Sequence, residues 1–171
     1  PAKGEVWDVI ALKDGDEVVG AATSADGDEL VFVSSDAQLL HFAASSVRAQ
    51  GRAAGGMAGI KLATGARAVH FGVVAAAARE SAVVVTLAGS SAALPGTEAG
   101  SGKVTPFSQF PGKGRPTGGV RAHRFLKGED TLVFAWAGTA PARAAASSGA
   151  PIELPVANGR RDGSGVPGSQ P

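Results

Sequence analysis

The chain has no cysteine, no tyrosine and one methionine, and aromatic residues make up only 5% of its 171 positions. Without cysteine, a disulfide framework, a thiolate zinc site, an iron–sulfur cluster and a cysteine nucleophile are all excluded, which fits a reducing compartment. No long hydrophobic run is present either. The longest, 83–87 with its Ala-rich approach, is far short of the roughly 20 residues a bilayer demands. No basic segment precedes an apolar stretch, so neither a membrane span nor a leader is expected. Charge of one sign is also lacking: 16 Lys plus Arg face 15 Asp plus Glu, a net of +1. With 44% hydrophobic residues, this balance predicts a folded chain rather than a disordered tail. What is plentiful is glycine, at 25, joined by 10 prolines, which argues against a helix bundle. The length suits one domain or an array of small repeated units. Because it opens Pro1-Ala2-Lys3 without Met, the chain is expected to be a piece of a longer one.

The apolar pattern is of short β type, with runs of Val, Ile, Leu and Phe separated by Gly, Asp and Ser. It predicts strands at 17–22, 29–34, 39–42, 69–74, 82–87, 103–107, 131–137 and 152–154. Ala25-Asp26-Gly27-Asp28 is expected to close a tight hairpin with Gly27 at positive φ, and Ser34-Ser35-Asp36-Ala37 to close the next. The Ala-rich stretches 75–78 and 144–146 lack a sustained helical stripe and are read as loops or strand ends. Val6, Trp7, Val9, Ile10 and Leu12 are expected to lend a strand to the first unit, and Trp136 to fill a core.

Three segments share Gly-Arg-x-x-Gly: Gly51-Arg52-Ala53-Ala54-Gly55, Gly114-Arg115-Pro116-Thr117-Gly118 and Gly159-Arg160-Arg161-Asp162-Gly163. Their spacing is 63 and then 45 residues, and the excess falls in a Gly/Ser/Ala-rich insertion near 88–102. After the first two turns an apolar residue recurs, followed by a basic one, in Gly59-Ile60-Lys61-Leu62 and Ala122-His123-Arg124-Phe125. A period near 45 with about four short strands is that of a propeller-like blade, and blades need neighbours to bury their faces. The expected fold is all-β, a propeller-like array of about three to four four-stranded blades, closed or left as an incomplete ring. Units are expected at 1–62, 63–126 with the insertion, and 127–171 with a poorly ordered tail.

Gly15-Asp16-Glu17-Val18-Val19-Gly20, Glu29-Leu30-Val31-Phe32-Val33-Ser34 and Val47-Arg48-Ala49-Gln50-Gly51-Arg52 through Leu62 resemble the blade signature of the C-terminal domain of the A subunit of bacterial type IIA topoisomerases. The resemblance is fullest over 14–62, weaker over 103–136 and weakest beyond 139. It implies a β-pinwheel, in which neighbouring blades exchange a strand and a basic rim bends double-stranded DNA. It also implies a heterotetrameric holoenzyme built with the core of the A subunit and with the B subunit, in which ATP and Mg are used elsewhere than in this chain, in the bacterial cytoplasm at the nucleoid. The gyrase branch of the family carries a Gln-Arg-Arg-Gly-Gly-Lys-Gly-like box. The nearest segment, Phe110-Pro111-Gly112-Lys113-Gly114-Arg115, lacks the Gln and the paired Arg, which favours topoisomerase IV and leaves gyrase as the alternative. Family members cut DNA with a tyrosine, so a chain without Tyr is expected to be non-catalytic, with no catalytic residue of its own.

A DNA-facing surface needs Lys and Arg aimed at phosphates. Residues 1–62 carry 5 basic and 9 acidic side chains, whereas 63–171 carry 11 and 6. From 103 to 127 six cations occur with no acid between them, and the local field decides what a patch attracts. The expected phosphate contacts are Arg48, Arg52, Lys61, Lys103, Lys113, Arg115, Arg121, Arg124, Lys127, Arg160 and Arg161. Glycine lets the backbone approach a phosphate and Arg offers it a planar fork. Any one Gly-Arg turn, taken alone, is better explained as an inter-blade turn with a solvated Arg; three at blade spacing favour the rim. The acidic first unit opposes continuous wrapping.

Other chemistry has little support. His41, His70 and His123 are too dispersed for a local metal site, and His41 is expected on a solvent face. Asp14-Gly15-Asp16-Glu17 lacks the remaining ligands of a calcium loop. Gly163-Ser164-Gly165-Val166-Pro167-Gly168 fits G-x-G-x-x-G but sits in a Pro-rich tail with no helix to follow. The rival from another class is a propeller-like module whose blade faces dock a protein.

Overall fold

The computed structural model describes residues 9–51, 54–93, 100–146, 148–157 and 159–168, and its regular structure is all-β apart from three single-turn 3-10 segments. In chain order the strands are β1 (Glu29–Ser34), β2 (Gln38–Ala43), β3 (Ala68–Val74), β4 (Ala82–Gly89), β5 (Ser101–Pro106), β6 (Val120–Arg121), β7 (Thr131–Thr139), β8 (Ala144–Ala145), β9 (Pro151–Ile152) and β10 (Val166–Pro167). They form two antiparallel four-stranded blades, ordered β3-β1-β2-β6 and β10-β5-β4-β7, and the two-stranded hairpin β8-β9 of a third unit.

Alternation in Glu-Leu-Val-Phe-Val-Ser sends Val31 and Val33 toward the second blade and Leu30 and Phe32 to the opposite face. The main core lies between the blades, where Val31, Val33 and Leu39 meet Ala82, Val84, Leu132 and Ala135. Smaller clusters occupy the two outer faces, one around Leu30, Leu40 and Phe42, the other around Val83, Val85 and Val104 with Trp136 packed on it. Across the seam, Leu132 N–H donates to Ser35 O at 2.7 Å and Ala137 N–H to His70 Nε2 at 3.2 Å.

Ser34-Ser35-Asp36-Ala37 closes the β1–β2 hairpin, with Ala37 at φ +61°. The segment 25–28 does not close one. Gly27 is not at positive φ, and the Asp28 carboxylate instead accepts Ala25 N–H at 2.8 Å and Ala76 N–H at 3.1 Å. Nor is 17–22 a strand: it is exposed and has no ladder partner among the described residues. The Ala-rich stretches divide, Ala76–Ala78 forming a 3-10 turn and Ala144–Ala145 becoming β8. Residues 9–13 form no strand, and Trp7 lies outside the described residues.

The sheets exchange strands. β6 stands in the chain between β5 and β7 of the second blade, yet pairs with β2 of the first through Leu39↔Val120 and Gln38↔Arg121. β10 repeats this one unit on, pairing with β5 through Gly102↔Val166 and Ser101↔Pro167. Glycine makes both insertions sterically feasible. A Cβ on Gly119, at φ +75°, would sit 2.3 Å from Leu39 O, and one on Gly165 would sit 2.8 Å from Gly102 O.

Candidate nucleic-acid interface

The second and third Gly-Arg turns, 114–118 and 159–163, lie where one unit hands its strand to the previous blade. Arg115 spans this junction: Nε and Nη2 donate to Ser46 O at 3.2 and 3.0 Å, and Nη1 to Ala58 O at 3.1 Å. One unit on, Arg161 Nη1 donates to Arg121 O at 3.1 Å. Ala58 and Arg121 hold the same place, two residues after the positive-φ glycines Gly56 and Gly119. Arg161, not Arg160, is therefore the counterpart of Arg115, and the third turn is offset by one residue from the Gly-Arg-x-x-Gly alignment. Both guanidinium groups bind carbonyls of the preceding unit and hold units together; neither is a wholly solvated rim charge. Arg52 lies outside the described residues.

Lys103 is also withdrawn from the surface. Its side chain is 1% exposed on β5, and its ammonium donates to the carbonyls of Arg160 (3.2 Å), Gly163 (3.0 Å) and Arg161. An ammonium has three N–H donors and here meets three acceptors. Burial pushes its pKa down to about 8, with Asp162 opposing the shift and Arg161 reinforcing it. Expected among the phosphate contacts, Lys103 instead holds the 160–163 loop against the second blade.

The histidines are likewise structural. His123 is buried, its Nε2 accepting Gly165 N–H at 3.1 Å and lying 3.1 Å from Ser101 Oγ, while Nδ1 meets Thr86 Oγ1 at 2.9 Å. Because a backbone amide can only donate, Nε2 is unprotonated and Nδ1 carries the hydrogen. Burial, and then the Lys103 charge, push the His123 pKa down to about 4, with Glu129 opposing. His41, expected on a solvent face, is 1% exposed. It bridges Glu29 Oε2 at 2.8 Å and Phe110 O at 2.9 Å, tying β2 to the loop that leads to β6. Glu29 also pairs with Arg79 at 3.0 Å. Burial lowers the His70 pKa as well. Sequence reasoning missed these networks because a strand Lys or His carries no local mark of its distant partners; the separations run to 69 positions for His41 and 60 for Lys103.

Seven of the expected contacts remain exposed: Arg48, Lys61, Lys113, Arg121, Arg124, Lys127 and Arg160. Lys61 and Arg124 are strict counterparts, each five residues after its positive-φ glycine. Lys61 N–H donates to Thr117 O at 2.9 Å and Arg124 N–H to Gly163 O at 3.0 Å, each to the next unit's turn. Their side chains thus mark one rim at blade intervals. Arg124 and Arg160, with Gly163 and Ser164, line an open cleft on it. The arrangement offers cations and backbone to an anion without a nucleophile or a paired acid and base among them.

The model of the DNA gyrase C-terminal domain, beta-propeller, matches residues 9–25, 28–75 and 96–135. The DNA gyrase A subunit of Escherichia coli (strain K12) is 33% identical over 111 residues, covering 65% of this chain and 11% of that protein. Topoisomerase subunit TopoM of Mycolicibacterium smegmatis is 33% identical over 131 residues, covering 77% and 17%. The chain thus spans between a tenth and a fifth of the length of these relatives. Among solved structures, the C-terminal domain of DNA topoisomerase IV superposes with a TM-score of 0.73 at 20% identity, over 92% of this chain and 47% of that one. The DNA gyrase A C-terminal domain gives 0.63 at 20% identity, over 93% and 52%. Those likenesses are of fold; the family model, matched over more than half of the sequence, adds descent, and the chain belongs to the DNA gyrase C-terminal domain, beta-propeller, family.

Proposed function

We propose that the chain is the non-catalytic, DNA-binding domain of the A subunit of a bacterial type II topoisomerase. It binds and bends duplex DNA beside a strand-passing machinery built from the core of the A subunit together with the B subunit. The observation that carries this reading is the recurrence of an exposed cation, Lys61 and then Arg124, at one rim position of successive units, with Arg121 and Arg160 beside the second. Such contacts position a phosphate backbone without reading sequence. ATP and Mg act elsewhere in that holoenzyme, which works in the cytoplasm at the nucleoid. The missing Gln-Arg-Arg-Gly-Gly-Lys-Gly-like box favours the topoisomerase IV type, in which the domain positions the crossing duplex for decatenation and relaxation. The gyrase relatives favour the second reading, wrapping for negative supercoiling.

The test is anisotropy titration of the chain with a duplex of about 40 base pairs, and with a single strand of equal length, across a salt series. Duplex affinity is expected to fall steeply with salt. Each lost phosphate contact lowers the slope of log K against log salt by about 0.9. Replacing Arg121 and Arg124 together by Gln should therefore lower it by about 2, whereas Arg115→Lys, which keeps the charge, should leave it unchanged. Absence of duplex binding at low salt would overturn the reading.

A further inference from the structure

The two exchange junctions differ in charge. Arg161 holds the place of Arg115, so the place of Arg160 is taken by Gly114 at the first junction. By the spacing from Gly56 and Gly119, the place of Arg121 is taken by Ala58 and that of Arg124 by Lys61. Three positions that hold arginine at the second junction therefore hold glycine, alanine and lysine at the first. The arginine-rich junction is also the one whose blade carries Lys103 where the first blade has Leu40.

The geometry links these two features. Arg160, Arg161 and Gly163 turn their carbonyl oxygens onto the Lys103 ammonium, Arg160 at 3.2 Å and Gly163 at 3.0 Å. Oxygens brought to one point repel each other unless a cation lies among them. The same short turn supplies the rim: Arg160, Gly163 and Ser164 line the open cleft with Arg124. Its other ties run to the preceding unit, where Arg124 N–H donates to Gly163 O at 3.0 Å and Arg161 Nη1 to Arg121 O at 3.1 Å. The loop of the first junction is tied otherwise. Lys113 N–H donates to His41 O at 3.1 Å, and His41 Nε2 meets Phe110 O at 2.9 Å, contacts that involve no lysine side chain.

Resting on the DNA reading above, we propose that Lys103 is a positioning residue for phosphate binding: its buried ammonium holds the 160–163 turn in the shape that sets Arg160 on the cleft with Arg124. The second junction then grips a phosphate through Arg160 only while that charge is in place. Lys103 itself, 1% exposed, touches no DNA. Deprotonation loosens the turn, because a neutral amine keeps two N–H donors and aims a lone pair at the third carbonyl. Burial brings that loss to a pKa of about 8, with Asp162 opposing the shift and Arg161 reinforcing it. The remaining charges near the ammonium are His123, whose pKa of about 4 leaves it neutral at pH 7 and above, and Glu129 beside it.

The test reads the slope of log K against log salt for the same duplex. Arg160→Gln removes one phosphate contact and should lower the slope by about 0.9. Lys103→Met, verified as folded by circular dichroism, should lower it by as much, and Arg160→Gln added to that variant should lower it no further. An unchanged slope in the folded Lys103→Met chain, or losses that add to about 1.8, would overturn the proposal. A second series leaves Lys103 in place. Between pH 7 and pH 9 the wild-type slope should fall by about 0.9, toward that of Arg160→Gln, whose own slope should stay level. A wild-type slope that holds, or an equal fall in both chains, would equally overturn it. A wild type that binds no duplex at low salt defeats the DNA reading and the positioning role together, whereas duplex binding with any of the contrary slopes removes the positioning role alone.

Discussion

The two complete blades share a backbone plan but fill it with opposite chemistry. Strand registers equate Phe32 with Thr86, Leu40 with Lys103 and Phe42 with Thr105, and the spacing from Gly56 and Gly119 equates Ile60 with His123. Four apolar positions of the first blade are thus four polar ones in the second. In the first, Phe32 stacks on Phe42 at 5.5 Å and meets Phe71 at 5.2 Å, contacts without strict direction. In the second, Lys103 and His123 bond to the backbone of 160–165, the loop that delivers β10. The shared hairpins and glycine turns define the blade, so its core can be either greasy or hydrogen-bonded. The polar version makes the second blade depend on the unit that follows it.

The exchange itself is where the comparison breaks most sharply. Gly119→Ala would place a Cβ 2.3 Å from Leu39 O at a φ that L residues avoid, so backbone must move. A loss above about 3 kcal/mol is expected by chemical denaturation. Gly165→Ala, at 2.8 Å from Gly102 O, should cost less. Equal losses would mean that the two insertions do not differ in tightness.

Next in size is Lys103→Met, which gives the second blade an apolar residue where the first has Leu40. It leaves three carbonyls without their shared donor, and a loss of about 3 kcal/mol is expected. Hydrogen exchange should rise at Val166 and Gly168 while the amides of β1 stay protected. Uniform exchange in both blades would show that the lysine does not act through the β10 loop.

Much of this architecture was legible in the sequence. β1, β2, β3, β4, β5 and β7 announce themselves through apolar alternation, and the repeated Gly-Arg turns mark the junctions. β6 and β10 do not, because Val120-Arg121 and Val166-Pro167 are too short to show a period and are defined only by their partners. The segment 17–22 carries a strand's pattern without forming one, since a strand exists only with a neighbour to pair with. The rim suffered most. Lys103 reads as surface charge because lysine is rarely buried, and only the fold reveals the three carbonyls around it. Adjacent arginines hid the register of the third turn, which depends on which of them reaches Arg121 O.

The smallest expected effect separates the blades by acid. His123 has its pKa near 4 in the folded chain against an ordinary 6.5. Between those values the unfolded chain binds a proton that the folded one refuses, so stability falls as pH drops through that window. At most the site contributes about 3 kcal/mol to that fall, reached near pH 4. The cause is structural: a proton on Nε2 would leave Gly165 N–H without its acceptor and set a second cation beside Lys103. His123→Gln keeps an acceptor near the Nε2 position and cannot be protonated. Urea midpoints measured from pH 7 to pH 4 should therefore slope less steeply in the variant than in the wild type, with the difference vanishing above pH 7. Ile60, the counterpart in the first blade, has nothing to titrate, so the opening that this site causes should begin at β10. Identical slopes for variant and wild type would place the acid sensitivity elsewhere than at His123.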